Sequence, residues 1–131
     1  MAFRWIEHTG ELALELEVDS ERGIFEAGFW AMRELMSSNE SPERIEVPVA
    51  LTGEDRAVLL ADWLGELAFL GETRGLVPGR LASFELTDEG LTAVVAGSAG
   101  DPPHLVKGVT YHGLGFERTE AGWLARVVLD V

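Results

Sequence analysis

From Leu12 the chain alternates. Leu12, Leu14, Leu16 and Val18 fall on one face, and Glu11, Ala13, Glu15 and Glu17 on the other. A period of two marks a half-buried strand, here with an acidic outer face. Phe3 to Glu7 predicts a strand before it, on a weaker pattern. The period then lengthens. Ser20 offers a helix N-cap and Glu21 an anion for the first turn. Ile24, Ala27, Ala31 and Leu35, with Phe25, Gly28, Met32 and Met36, recur at spacings of three and four. They predict a helix of about four turns that ends near Met36. Ser37 to Pro42 reads as loop. Arg44 to Leu51 alternates again, and Pro48, which has no N–H for a ladder, assigns it to a sheet edge or a bulge.

Thr52 to Asp55 introduces a second helix, whose apolar stripe holds Val58, Leu59, Trp63, Leu67 and Leu70. Gly65 costs that helix about 1 kcal/mol relative to alanine, which points to close packing. After Gly71 the pattern changes. Arg80 to Leu86, Leu91 to Ala96, Leu105 to Arg118 and Trp123 to Leu129 predict strands, with tight turns at Asp88-Glu89-Gly90 and Thr119-Glu120-Ala121-Gly122. The order is β-β-α-β-α-β-β-β-β, with too few helices to cover a parallel sheet on both faces. The expected fold is α+β: a mainly antiparallel (mixed) β-sheet with two α-helices packed on one face, in a single domain over residues 1–131.

Charge narrows the function. The 131 residues carry 10 Lys plus Arg against 23 Asp plus Glu, a net charge of −13. Proteins that grip phosphate backbones cluster their cations; here the arginines stand singly and Lys107 is the sole lysine. Direct, tight nucleic-acid binding is not expected, whereas an acidic surface suits cation binding or a basic protein partner. Cysteine is absent, which removes disulfides, thiolate catalysis and zinc–sulfur sites. No apolar run approaches the roughly 20 residues that span a bilayer, and the first residues lack the pattern of a signal peptide. The expected setting is the cytoplasm, with no membrane association.

The usual catalytic machinery is missing. No serine lies in a nucleophile elbow, no phosphate-cradling loop is present, and His8, His104 and His112 have no metal-ligand spacing. Two features stand out. Glu7-His8-Thr9-Gly10-Glu11 is a polar knot between two strands. At the other end, Val127-Val128-Leu129-Asp130-Val131 is apolar on both faces, hence a central strand, yet stops at an aspartate followed by the terminal carboxylate. Two adjacent anions at the end of a buried strand cost desolvation and repulsion. A hard divalent cation would remove that cost.

Four segments together resemble the archease family. Glu7 to Glu11 resembles its Glu-His-Thr-Ala-Asp; Ala31-Met32-Arg33-Glu34-Leu35-Met36 resembles the end of its first helix. Leu59-Leu60-Ala61-Asp62-Trp63-Leu64-Gly65-Glu66-Leu67 resembles its Leu-Leu-x-Asp-Trp-Leu-Asn-Glu-Leu. Lys107 to His112, with Ala125 to Val131, resembles its last two strands. The resemblance implies a metal-binding accessory protein, with no catalytic residues of its own, that promotes guanylylation and repeated turnover of an RtcB-type RNA ligase in tRNA splicing or RNA repair. Carried over position by position, the metal ligands are Glu11, Asp130 and, through its main-chain oxygens, Val131, holding calcium or else magnesium or manganese. Glu11 stands where the family usually has aspartate, and Gly65 where it usually has asparagine. Lys107 is the candidate contact to the partner or to a nucleotide. Two other readings fit the residues: a divalent-metal-dependent hydrolase with His8 or His112 as base, and an acidic chaperone-like binding module.

Overall fold

The computed structural model describes residues 2–131, apart from the side chain of Glu40. The first strand, β1 (Phe3–His8), turns at Thr9-Gly10 into β2 (Glu11–Val18). Gly10 has φ +72°, a left-handed backbone that glycine adopts without strain. Ser20 caps α1 (Glu21–Leu35), its Oγ accepting from the Gly23 N–H at 2.9 Å. This is the expected helix. β3 (Glu40–Thr52) begins inside the segment expected as loop, and its register shifts between Glu40 and Arg44. Asp55 caps α2 (Arg56–Arg74), accepting from the Val58 N–H at 3.1 Å. β4 (Leu76–Thr87), β5 (Gly90–Gly100), β6 (Gly108–Thr119) and β7 (Gly122–Asp130) complete the chain.

The order and number of elements are those expected, and every strand pairing is antiparallel. The seven strands form two sheets, ordered β1-β2-β7-β6 and β3-β5-β4. Periodicity shows which residues face inward but not which strand lies beside which, so this division was not legible. Pro48 sits on the edge strand β3, and Pro78 on the opposite edge strand β4, where a missing N–H breaks no ladder. β7 is an inner strand between β2 and β6, with Val127, Val128 and Leu129 buried. Its apolar character on both faces follows from that place.

The two helices join the sheets through one core. Phe25 of α1 packs against Phe84 of the smaller sheet and Phe116 of the larger, with ring centroids 6.1 and 5.9 Å away. Trp63 of α2 meets Phe84 edge-on, and its indole N–H donates to the Phe25 carbonyl oxygen at 3.0 Å. Gly65 approaches Val109 of β6: a Cβ there would lie 3.6 Å from a Val109 methyl. That is ordinary contact, so Gly65 is not forced by packing as its cost had suggested.

Candidate functional site

The register of the larger sheet assembles the two chain ends. His8 pairs with Glu11 across β1 and β2, Glu11 with Asp130 across β2 and β7, and Asp130 with Gly108 across β7 and β6. Residues 120 positions apart thus share one row. The Val131 N–H donates to the Gly10 carbonyl oxygen at 3.1 Å. In an antiparallel ladder this makes Glu11 and Asp130 a non-hydrogen-bonded pair, the closer kind, with Cα atoms about 4.5 Å apart. Two carboxylates directly opposite repel. Among the described residues no side-chain hydrogen bond or ion pair reaches either one.

Main-chain bonds define what remains free. The Lys107 N–H donates to the Asp130 carbonyl oxygen at 2.7 Å. The Glu11 and Asp130 carboxylates and the Val131 oxygens remain at this end of the sheet, with Glu7, His8 and Thr9 nearby. Beside them lies a cavity of about 790 Å³, walled by Glu11, His8, Leu12, Leu35, Leu105 and Val131. Among the described residues no three His, Asp or Glu side chains make a metal cluster; the third donor would be Val131 itself. Hard oxygen donors suit calcium, magnesium or manganese, so the donor set fits such an ion.

The other sequence-chosen residues fall elsewhere. β6 starts at Gly108, so Lys107 precedes the strand instead of lying within the one expected from Leu105. Its side chain is exposed and its backbone is tied to Asp130. His112 lies where the β6–β7 register shifts between Thr110 and Gly115, and His104 precedes β6. Only His8 joins the row.

The acidic outer face of β2 is less uniform than its alternation suggests. Glu15 is flanked in register by Arg4 and Arg126 and forms ion pairs with both, the second at 3.4 Å. The hydrogen bond from Arg4 holds the Glu15 carboxyl below its ordinary range, against a smaller opposing effect of burial, and the charges of Arg4 and Arg126 add to the lowering. A carboxyl with a lowered folded-state pKa stabilises the fold above its unfolded pKa, and that contribution disappears as pH falls through the folded value. Glu15→Gln should therefore cost at most about 1 kcal/mol at neutral pH. Urea melts at successive pH values should show this difference vanishing in acid.

The family model of the Archease protein family (MTH1598/TM1083) matches residues 3–131. This chain belongs to the archease family. Protein archease of Methanopyrus kandleri is 31% identical, with the match covering 100% of both chains. That of Methanosarcina mazei is 30% identical over 98% of this chain and 95% of its own. Two solved structures share the fold. One is the solution structure of Methanobacterium thermoautotrophicum protein 1598, with a TM-score of 0.70 and 26% identity, covering 99% of both chains. The other is the crystal structure of an archease, described as a possible chaperone, from Thermotoga maritima: TM-score 0.68, 25% identity, 96% of this chain and 94% of that one.

Within this archease fold the four motif segments occupy the β1–β2 hairpin, the end of α1, the middle of α2 and the β6–β7 pair. One link between them was not legible in the sequence. Tyr111 of β6 donates its hydroxyl hydrogen bond to Asp62 of α2, joining two motifs. That bond, with burial and the Asp62 charge adding to it, raises the Tyr111 pKa above its ordinary value. Tyr111 is the only tyrosine, so ultraviolet titration of the phenolate reads it alone. Asp62→Asn should move that titration to lower pH. The stabilisation linked to the raised pKa is present below the unfolded tyrosine value and is lost as pH rises through the folded one. An unchanged titration curve would mean that Asp62 does not hold the phenol in solution.

Proposed function

We propose that this protein is a metal-binding accessory factor, not an enzyme, that activates an RtcB-type RNA ligase by promoting its guanylylation and multiple turnover. The observation that carries the reading is the Glu11–Asp130 pair, without a side-chain partner among the described residues, beside the Val131 oxygens at the point where two family motifs meet. Glu11, Asp130 and the main-chain oxygens of Val131 would hold a divalent ion, calcium first and magnesium or manganese as alternatives. Such an ion supplies positive charge that offsets the carboxylate repulsion and ties β2 to β7. Glu11 reaches one methylene further than the family's usual aspartate, and the glycine turn at Gly10 gives its backbone room to adjust.

The nucleotide, the catalytic metal and the RNA belong to the ligase in this division of labour. A chain of charge −13 with no phosphate loop is poorly suited to hold RNA, and well suited to steer toward a basic RNA-binding surface. Lys107, exposed and tied through its backbone to Asp130, would contact the partner or its nucleotide. Glu17 remains as an outward charge of β2 for steering, since Glu15 is neutralised by Arg4 and Arg126 and Glu11 is taken up by the ion. The test is turnover. A catalytic amount of the cognate ligase, given GTP and RNA with a 3′-phosphate or 2′,3′-cyclic phosphate end and a 5′-hydroxyl end, should complete many cycles with this protein and stall without it. The protein alone should join no RNA and hydrolyse no GTP. A ligase indifferent to its addition would overturn the proposal.

A further inference from the structure

The smaller sheet carries a cationic groove that the proposed function does not use. Its register sets Glu46, Ala96 and Arg80 side by side across β3, β5 and β4, with Arg44 opposite Ser98 two residues along. Together with the backbone of Gly79 and Gly97 they line a groove of about 500 Å³, within the usual range for small-molecule sites. Glycine makes the floor. A Cβ on Gly97 would overlap the Val77 carbonyl oxygen, and one on Gly79 would crowd the Ala96 oxygen at 3.3 Å. The β4 register skips Gly79 between Pro78 and Arg80, so the strand bulges where the groove opens.

Among the described residues neither Arg44 nor Arg80 has a carboxylate within ion-pair distance, although the chain carries 23 acidic residues. Arg44 Nη1 donates to Ser98 Oγ at 3.1 Å, and Ser98 is only 2% exposed. That anchor positions the guanidinium before any ligand arrives. The two arginines lie on strands two spacings apart and two residues apart along them, about 12 Å between backbones, a span that two extended arginine side chains can close onto one anion. Planar guanidinium forks match phosphoryl oxygens in charge and geometry. Glu46 stands at the same groove as an acceptor, repelling a bare anion but suited to a hydroxyl donor beside it.

We propose that this groove binds a hydroxylated phosphomonoester, the sugar-phosphate part of a small metabolite or nucleotide, with Arg44 and Arg80 on the phosphoryl group and Glu46 on a hydroxyl. The site lies on the other sheet from Glu11 and Asp130, so it stands or falls independently of ligase activation. The experiment is a titration of the full chain with ribose 5-phosphate and with inorganic phosphate at constant ionic strength, followed by backbone amide resonances. Saturable shifts should centre on residues 79–80 and 96–97, with ribose 5-phosphate the tighter ligand. Arg80→Gln, at an exposed position, should leave the melting temperature unchanged and weaken both ligands by about tenfold. Arg44→Lys keeps the charge but loses the fork, and should weaken them less. Glu46→Ala should erase the sugar's advantage while phosphate binds at least as well. Shifts spread equally over Arg74, Arg118 and Lys107, no loss in Arg80→Gln, or equal affinity for the two ligands would overturn the assignment.

Discussion

Asp130→Ala should abolish the calcium-dependent rise in melting temperature, and with it ligase activation. An ion that binds only the folded chain stabilises it by about 2.7 kcal/mol at one hundred times its dissociation constant. For a domain of this length that corresponds to about 10 °C. Without calcium the sign reverses. Glu11 and Asp130 face each other with no described partner between them, and like charges directly opposite destabilise a ladder by up to about 1 kcal/mol. The ion-free variant should therefore melt at or slightly above the parent. A variant damaged only in folding would melt lower in both conditions, so calorimetric melts with calcium and with chelator separate the two causes. Asp62→Ala, on α2 and away from the row, should keep the calcium response. Should Asp130→Ala still bind calcium as the parent does, the site is elsewhere, and His8, His112 and Asp62 are the next positions to vary.

The largest loss of stability is expected from Trp63→Ala, about 3–5 kcal/mol. Trp63 is wholly buried, stacks edge-on against Phe84 at 5.7 Å and donates to the Phe25 carbonyl oxygen at 3.0 Å. It therefore links α1, α2 and the smaller sheet at one point, and a cavity there cannot be refilled without moving one of the three. Against a typical total of 5–15 kcal/mol, much of the fold's stability would go. Trp63→Phe keeps part of the packing and loses the hydrogen bond, so its cost should be smaller. Urea unfolding followed by far-ultraviolet circular dichroism measures both. A Trp63→Ala loss under about 1 kcal/mol would show that the core closes over the gap.

The elements were legible because each depends on neighbours along the chain. Alternation of Leu12, Leu14 and Leu16, capping by Ser20, and the three-and-four spacing of Ile24 to Met36 are local properties. They determine strand or helix without any tertiary contact. Boundaries were less legible. β4 begins at Leu76 instead of Arg80, and β6 at Gly108 instead of Leu105, because a strand extends as far as its neighbour offers hydrogen bonds. The apolar C-terminal segment and Pro48 also marked an inner and an edge strand correctly, since burial on both faces and a missing donor leave their trace in residue type.

What the sequence by itself determined is the α+β class, the order of elements and the two polar ends that could meet. The tertiary structure decided the division into two sheets and the register that sets Glu11 opposite Asp130. It also decided the neutralisation of Glu15 by Arg4 and Arg126, and the bond from Tyr111 to Asp62. Each of these joins residues far apart in the chain. The free energy that selects such a pairing comes from the shared core around Phe25, Trp63 and Phe84. Periodicity tells each segment which face to bury, and only the packing of all of them together tells it against whom.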